Sequence, residues 1–188
     1  MLEPLGVSAL VVALAEIGDK TQLLAIVLAA KYRKPVPILA GILAATLLNH
    51  TLAAWFGFVA AQWLTGPVFQ IAVGASFILM GAWALIPDKQ EDAGVVSRGG
   101  VFMTTLFAFF LVEIGDKTQI ATSLLAARFH NVLLVAAGTT LGMMVANVPA
   151  VYLGEAATRI APLKYVRIAA AFLFAALGAW ILVSALTR

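Results

Sequence analysis

The chain has 188 residues, of which 63% are hydrophobic and 11% are charged, and its formal net charge at pH 7 is +3. With a mean hydropathy of +1.02 it has too few polar residues to cover a soluble globule, so we expect a bilayer to be its solvent. No basic, aromatic-laced face accompanies the small positive charge, which excludes a nucleic-acid partner, and the absence of cysteine excludes disulfides and thiolate metal sites.

Six apolar segments are each long enough to cross about 30 Å of hydrocarbon as a helix. The alternation of apolar and polar residues that marks outer-membrane strands is absent from the sequence. We therefore predict an all-α integral membrane protein with six transmembrane helices. The segments cover residues 4–30, 36–63, 66–87, 99–127, 131–157 and 162–186.

The first segment contains the polar stretch EIGDKTQ, from Glu16 to Gln22. Twelve residues separate Pro4 from Glu16, which corresponds to about 18 Å of helix and a depth near the middle of the bilayer. The same seven letters return in the fourth segment, from Glu113 to Gln119. An ionised side chain at this depth costs at least about 2.5–3.5 kcal/mol, so pairing, protonation or a bound ion is expected at both copies.

The offset of 97 residues between the two copies continues along the chain without a gap, and it pairs Gly81-Ala82-Trp83 with Gly178-Ala179-Trp180. This pattern predicts a tandem duplication of three helices. Because each repeat has an odd number of spans, the second enters the membrane from the opposite side, as in the inverted repeats of secondary transporters. The predicted division is a first repeat at 1–87, a cytoplasmic linker at 88–98 and a second repeat at 99–188.

The loop charges predict the orientation in the cytoplasmic (inner) membrane. Basic residues concentrate in the loops after segments one, three and five, and by the positive-inside rule these loops face the cytoplasm and both termini lie outside. The basic residues of those loops are Lys31, Arg33, Lys34, Lys89, Arg98, Arg159, Lys164 and Arg167, and those of the other side are Arg128 and Arg188.

Four acids and two lysines give the two motif copies a summed charge of minus two. One divalent cation would neutralise this charge, and so would two protons. We expect the acids to be metal ligands and the lysines to tune the charge of the site. The acids are Glu16, Asp19, Glu113 and Asp116, and the lysines are Lys20 and Lys117.

The glycine of each copy, Gly18 or Gly115, leaves two alternatives for the backbone. The glycine could let another backbone approach a continuous helix closely, in which case Glu16 and Asp19 are three residues apart and share a face. If the glycine breaks the helix, carbonyl oxygens become available as ligands.

Further oxygen donors lie in and near the motifs, and an all-oxygen site favours calcium, manganese or magnesium over zinc or copper. The threonines and glutamines could instead be ordinary interhelical hydrogen-bonding residues. His50, the 97-offset partner of Asn147, is a candidate metal ligand, a proton shuttle or a structural histidine. The candidate oxygen donors are Thr21, Thr118, Gln22, Gln119, Asn49 and Asn147.

Other residues of note have structural interpretations. Trp83 and Trp180 lie near predicted helix ends and are expected in an interfacial aromatic belt. The small-residue pairs Gly41/Ala45 and Gly138/Gly142 are expected to be packing surfaces.

The sequence E-I-G-D-K-T, present twice in a duplicated six-segment chain, resembles the Glu-x-Gly-Asp-Lys/Arg-Thr/Ser signature of the uncharacterised protein family sixteen. This family of cation antiporters contains the Golgi transmembrane protein 165 and bacterial manganese exporters. The resemblance implies transport of Mn²⁺ or Ca²⁺ in exchange for protons, with no cofactor. It carries the cation site over to Glu16, Asp19, Lys20, Thr21, Glu113, Asp116, Lys117 and Thr118.

The predicted function is therefore export of a divalent cation, Mn²⁺ before Ca²⁺, as one repeat rocks against the other. The predicted partners are the ion, protons and the lipid bilayer. A passive divalent cation channel and a non-transporting membrane scaffold are the alternatives. An enzyme is not expected, because each aspartate stands between a glutamate and a lysine and no nucleophile accompanies it.

Overall fold

The computed structural model describes residues 2–64, 66–86, 99–154 and 163–187. Within these ranges the chain forms eight α-helices and no strand. The helices are α1 (Glu3–Glu16), α2 (Lys20–Tyr32), α3 (Pro35–Trp63), α4 (Pro67–Ala84), α5 (Val101–Glu113), α6 (Lys117–Phe129), α7 (Val132–Leu153) and α8 (Leu163–Leu186).

Four of the described helices, α3, α4, α7 and α8, are long and apolar enough to cross a membrane, and α5 is a shorter apolar helix. The prediction of an all-helical, multi-pass membrane protein is thereby confirmed for the described residues. The predicted linker at 88–98 lies outside them, as do the loop residues Lys89, Arg98, Arg159 and Arg188.

The first and fourth predicted segments are not continuous helices, because each is broken at its motif into two shorter ones. Gly18 has φ +82° and Gly115 has φ +76°, a left-handed conformation that costs an L side chain about 1–2 kcal/mol. Ile17 and Ile114 are extended. Of the two alternatives open from the sequence, the broken helix is confirmed and the shared helical face is wrong.

The helices that follow the two breaks also end alike. Arg33 and His130, one residue beyond α2 and α6, both have φ 52° and ψ 32°. Their backbone N–H groups donate to Ala29 O and Ala126 O, each at 2.9 Å. Residues 97 positions apart therefore adopt the same local backbone at the break and at the end of the helix that follows it.

The two halves of the chain are interlocked, because helices of one half pack mainly against helices of the other. α1 packs on α7, α5 and α6 pack on α3, and α4 packs on α8. Small residues permit these contacts: a Cβ on Gly41 would lie 2.8 Å from Phe102 O in α5, and one on Gly142 would clash with Ala9 O in α1. The prediction that Gly41 and Gly142 belong to packing surfaces is confirmed.

Candidate metal centre

The two broken helices bring the motif acids to the ends of four helices. Glu16 ends α1 and Glu113 ends α5, whereas Asp19 and Asp116 are the N-cap residues of α2 and α6. The dipole of a helix favours a carboxylate at its N-terminus and a cation at its C-terminus. A cation between these ends would therefore meet acids and helix C-termini together.

Three of the four acids form a compact cluster. Glu16, Asp19 and Asp116 each offer a carboxylate oxygen, and these oxygens lie within 4.8 Å of one another. The exposed fractions of the three residues are 0%, 6% and 5%. Buried carboxylates this close repel one another unless a cation or protons neutralise them, and hard cations are bound by such oxygens at about 2.0–2.6 Å.

Glu113 adjoins this cluster without being one of its three members. Its side chain is fully buried, and its backbone carbonyl accepts from the Asp116 N–H at 3.1 Å. On its other side lies His50 of α3, whose Nε2 is 3.8 Å from Glu113 Oε2. The fourth acid is thus oriented towards α3.

The two motif lysines occupy different surroundings. Lys20 Nζ lies 3.0 Å from Asp116 Oδ1, so it joins the first motif to the acid of the second. Lys117 Nζ donates to Ile86 O at 3.1 Å, just beyond α4, and lies 5.5 Å from the centre of the Trp83 ring. With all groups ionised, the three clustered acids and Lys20 sum to minus two, the charge that one divalent cation balances.

Trp83 therefore has a role that the sequence did not reveal. Its position near a helix end predicted an interfacial residue, and the structure adds a contact with the lysine of the second motif. No spacing in the sequence links the two residues, because α4 and α6 meet through tertiary packing.

The motif threonines and glutamines hold the broken segments in place. Thr21 Oγ1 donates to Glu16 Oε2, and Thr118 Oγ1 lies 3.5 Å from Asp116 Oδ2. The Gly18 N–H donates to Gln22 Oε1 at 2.8 Å, and the Gly115 N–H donates to Gln119 Oε1 at 2.7 Å. In this structure the glutamine carbonyls accept from the loop backbone.

A second polar layer lies on α3 and α7. Asn49 Nδ2 donates to Phe110 O at 3.1 Å, and Asn147 Nδ2 donates to Met143 O at 3.0 Å. Gln22 Nε2 reaches Ala146 O at 2.9 Å and so connects the first motif to α7. In both candidate asparagines the side-chain amide nitrogen therefore donates a hydrogen bond to a backbone carbonyl. The side-chain carbonyl oxygen is the atom that could still bind a metal ion.

Two cavities reach the motif loops from different places. A cavity of about 20 Å³ is bordered by Gly18, Asp19, Lys117 and Arg167. A larger one of about 290 Å³ lies beside the second motif, between α3 and the break of α5 and α6, with Gln119 in its wall. The two motif loops are thus enclosed to different degrees.

Comparison with known proteins gives matches over nearly the whole chain. The family described as "Divalent cation/proton antiporter GDT1" matches at residues 4–92 and 101–188. A Vibrio cholerae protein named "Putative manganese exporter" is 49% identical over 175 residues, which cover 93% of this chain and 88% of that protein. A GDT1-like protein of Synechocystis is 29% identical, with 82% of this chain and 84% of that protein covered. No solved structure matches.

Proposed function

Because the chain belongs to the GDT1 family of divalent cation/proton antiporters, we propose that it exports Mn²⁺ from the cytoplasm in exchange for protons. The family consists of transporters, and the chain is not an enzyme. The name of the Vibrio cholerae relative favours Mn²⁺ as the cargo, with Ca²⁺ as the second candidate. Ions and protons are the only partners that this exchange requires.

The observation that carries the proposal is the cluster of three buried carboxylates within 4.8 Å. Such a cluster is unstable in an apolar interior unless its charge is balanced. A bound divalent cation balances it in one state, and protons balance it in another. Exchange requires that the site holds either the divalent cation or protons, and not both at once.

The motif residues divide the work in this proposal. Glu16, Asp19 and Asp116 would bind the ion, and Glu113 would add a fourth carboxylate from α5. Lys20, 3.0 Å from Asp116, would balance part of the charge between transport events and leave Asp116 when the ion arrives. Lys117 would tune the charge from its position beside α4.

The remaining oxygen donors would complete the coordination or support it. Thr21 and Thr118 would hold the acids in position through their hydroxyl groups. The carbonyl oxygens of Asn49 and Asn147 would be additional ligands. The side-chain oxygens of Gln22 and Gln119 now accept hydrogen bonds from the glycine N–H groups. These two glutamines would become ligands only if those hydrogen bonds break.

The proposed architecture has six spans in the inner membrane, arranged as two inverted three-helix repeats at 1–87 and 99–188 with both termini outside and the linker 88–98 in the cytoplasm. In this arrangement α1 and α2 together make the first span, and α5 and α6 make the fourth. The identical breaks and caps of the two halves support it. Because the halves are interlocked, we expect each moving body to contain helices of both repeats.

The test uses proteoliposomes that hold the purified chain and a pH-sensitive dye. Mn²⁺, Ca²⁺ or Mg²⁺ is added outside against an imposed proton gradient, for the wild type, Glu16→Gln and Glu113→Gln. Glu3→Gln is the matched control, because it makes the same chemical change at an exposed residue outside the motifs.

We expect metal-dependent proton movement in the wild type and in Glu3→Gln, and its loss in both motif variants. The order of activity among the three ions identifies the cargo. Metal entry without proton movement would favour the passive channel. The absence of any flux in the wild type would favour the scaffold.

A further inference from the structure

The two repeats differ in chemistry at one buried position next to the proposed site. The motifs are identical, but His50 of α3 corresponds to Asn147 of α7. Both side chains are fully buried, and they lie on the two helices that pack against the broken segments. The duplication therefore carries an imidazole on one side of the site and an amide on the other.

His50 has unusual surroundings for a buried histidine. Its Nε2 lies 3.8 Å from Glu113 Oε2, which is longer than a hydrogen bond. Among the described residues, neither ring nitrogen of His50 has a hydrogen-bond partner. A purely structural histidine at 0% exposure is expected to be hydrogen-bonded, because an unpartnered buried polar group destabilises the fold.

The separation of these two groups suits a cation that both could bind. First-row metal ions bind imidazole nitrogen and carboxylate oxygen at about 2.0–2.2 Å, so donors 3.8 Å apart can contact one ion at an open angle. Glu113 also connects this pair to the three-carboxylate cluster, since the Asp116 N–H donates to Glu113 O at 3.1 Å.

Asn147 offers a different donor at the equivalent position. Its Nδ2 is held by Met143 O, and among the described residues nothing hydrogen-bonds its Oδ1. The side chain thus presents an amide oxygen, which suits any hard cation. At the equivalent position in the first repeat, His50 presents a ring nitrogen.

We propose that His50 ligates the transported ion together with Glu113 and makes the site prefer Mn²⁺ over Ca²⁺ and Mg²⁺. Imidazole is a good ligand for transition-metal ions, whereas Ca²⁺ and Mg²⁺ are bound by oxygen. A site made of carboxylates and amides alone would discriminate less strongly between Mn²⁺ and the other two ions, Ca²⁺ and Mg²⁺. This inference rests on the proposed function, because it assumes that the motif acids bind the cargo.

The test is electron spin echo spectroscopy of Mn²⁺ bound to the purified full-length chain, which detects coupling of the ion to a directly bound ¹⁴N nucleus. We expect this coupling in the wild type and its absence in His50→Asn, which copies the residue of the other repeat. His130→Asn is the matched control, because it removes an exposed histidine and is expected to keep the coupling. His50→Gln provides a second variant if His50→Asn does not fold.

The same variants are then compared in the proteoliposome assay. His50→Asn is expected to lower Mn²⁺-driven proton exchange by about tenfold or more and to lower Ca²⁺-driven exchange less, so that the preference for Mn²⁺ over Ca²⁺ falls, since a ligand contributes at least as much as the groups that support ligands. Asn147→His, which adds the nitrogen donor on the other side, is expected to retain the preference for Mn²⁺.

The outcomes separate the two proposals. If wild-type chain binds Mn²⁺ without ¹⁴N coupling, or if the coupling persists in both His50 variants, the ligand role of His50 is wrong and the proposed function stands. If wild-type chain neither binds Mn²⁺ nor moves protons in response to it, both proposals fail.

Discussion

The two copies of EIGDKTQ have the same sequence and different surroundings. In the first copy, Gln22 is 4% exposed and bonded to α7, and Lys20 is paired with the acid of the other copy. In the second copy, Gly115 is exposed beside the larger cavity, and Lys117 is bonded to the backbone beyond α4. The first loop is thus tied to its neighbours, and the second is more open.

This difference shows which properties follow from the motif and which follow from its neighbours. The break, the N-cap aspartate and the glutamine that accepts from the glycine N–H recur in both copies. The partners of the lysines do not recur. In the proposed inverted-repeat architecture, the two access states would exchange the conformations of the repeats, and Lys117 would then take a position equivalent to that of Lys20 in the opposite state.

The largest effect is expected from the two N-cap acids. Asp19→Asn and Asp116→Asn each remove a carboxylate from the three-acid cluster, so both should lower Mn²⁺ flux by about 100-fold or more. Asp116→Asn also removes the carboxylate that lies 3.0 Å from Lys20 Nζ, and we expect this loss to lower the free energy of unfolding by about 1–2 kcal/mol. Flux assays and denaturant unfolding in detergent measure the two effects. Wild-type flux in Asp116→Asn would contradict the proposed site.

An effect on stability alone is expected at two glycines that are 97 residues apart, Gly57 and Gly154. A Cβ on Gly57 would clash with the backbone carbonyl of Ser123 in α6, so Gly57→Ala should destabilise the protein by about 3 kcal/mol. Gly154 has open space around it but a φ of +57°, so Gly154→Ala should cost about 1 kcal/mol. Gly6→Ala, in open space within α1, is the control and should not destabilise. Equal losses of unfolding free energy in Gly57→Ala and Gly154→Ala would contradict the conclusion that Gly57 is closely packed and Gly154 is not.

The smallest effect is expected at the motif glutamines. Gln22→Ala removes contacts with the Gly18 N–H and with Ala146 O in a buried environment, and should cost about 1–2 kcal/mol of unfolding free energy. Gln119→Ala removes the hydrogen bond from the Gly115 N–H in a more open environment, and should cost less than about 1 kcal/mol. Thermal unfolding of the two variants side by side tests this order. A larger loss in Gln119→Ala would mean that the second loop is the more tightly held.

Much of the fold could be predicted from the sequence because it depends on local chemistry. Apolar length predicted the helical segments, and the 97-residue offset predicted a tandem duplication, which agrees with the left-handed conformation that Gly18 and Gly115 share. The break itself was one of two alternatives, since glycine tolerates both a helix and a left-handed turn. The structure shows that the chain adopts the left-handed turn at both glycines.

The sequence by itself determined which residues carry charge in the apolar interior and that they occur twice. Composition and repetition are properties of the sequence and do not depend on how the chain packs. Only the tertiary structure decided that Glu16, Asp19 and Asp116 cluster while Glu113 is oriented towards His50, and that the two lysines have different partners. The physical reason is that backbone conformation depends on each residue's own steric limits. Convergence of side chains depends instead on how helices far apart in the chain pack together.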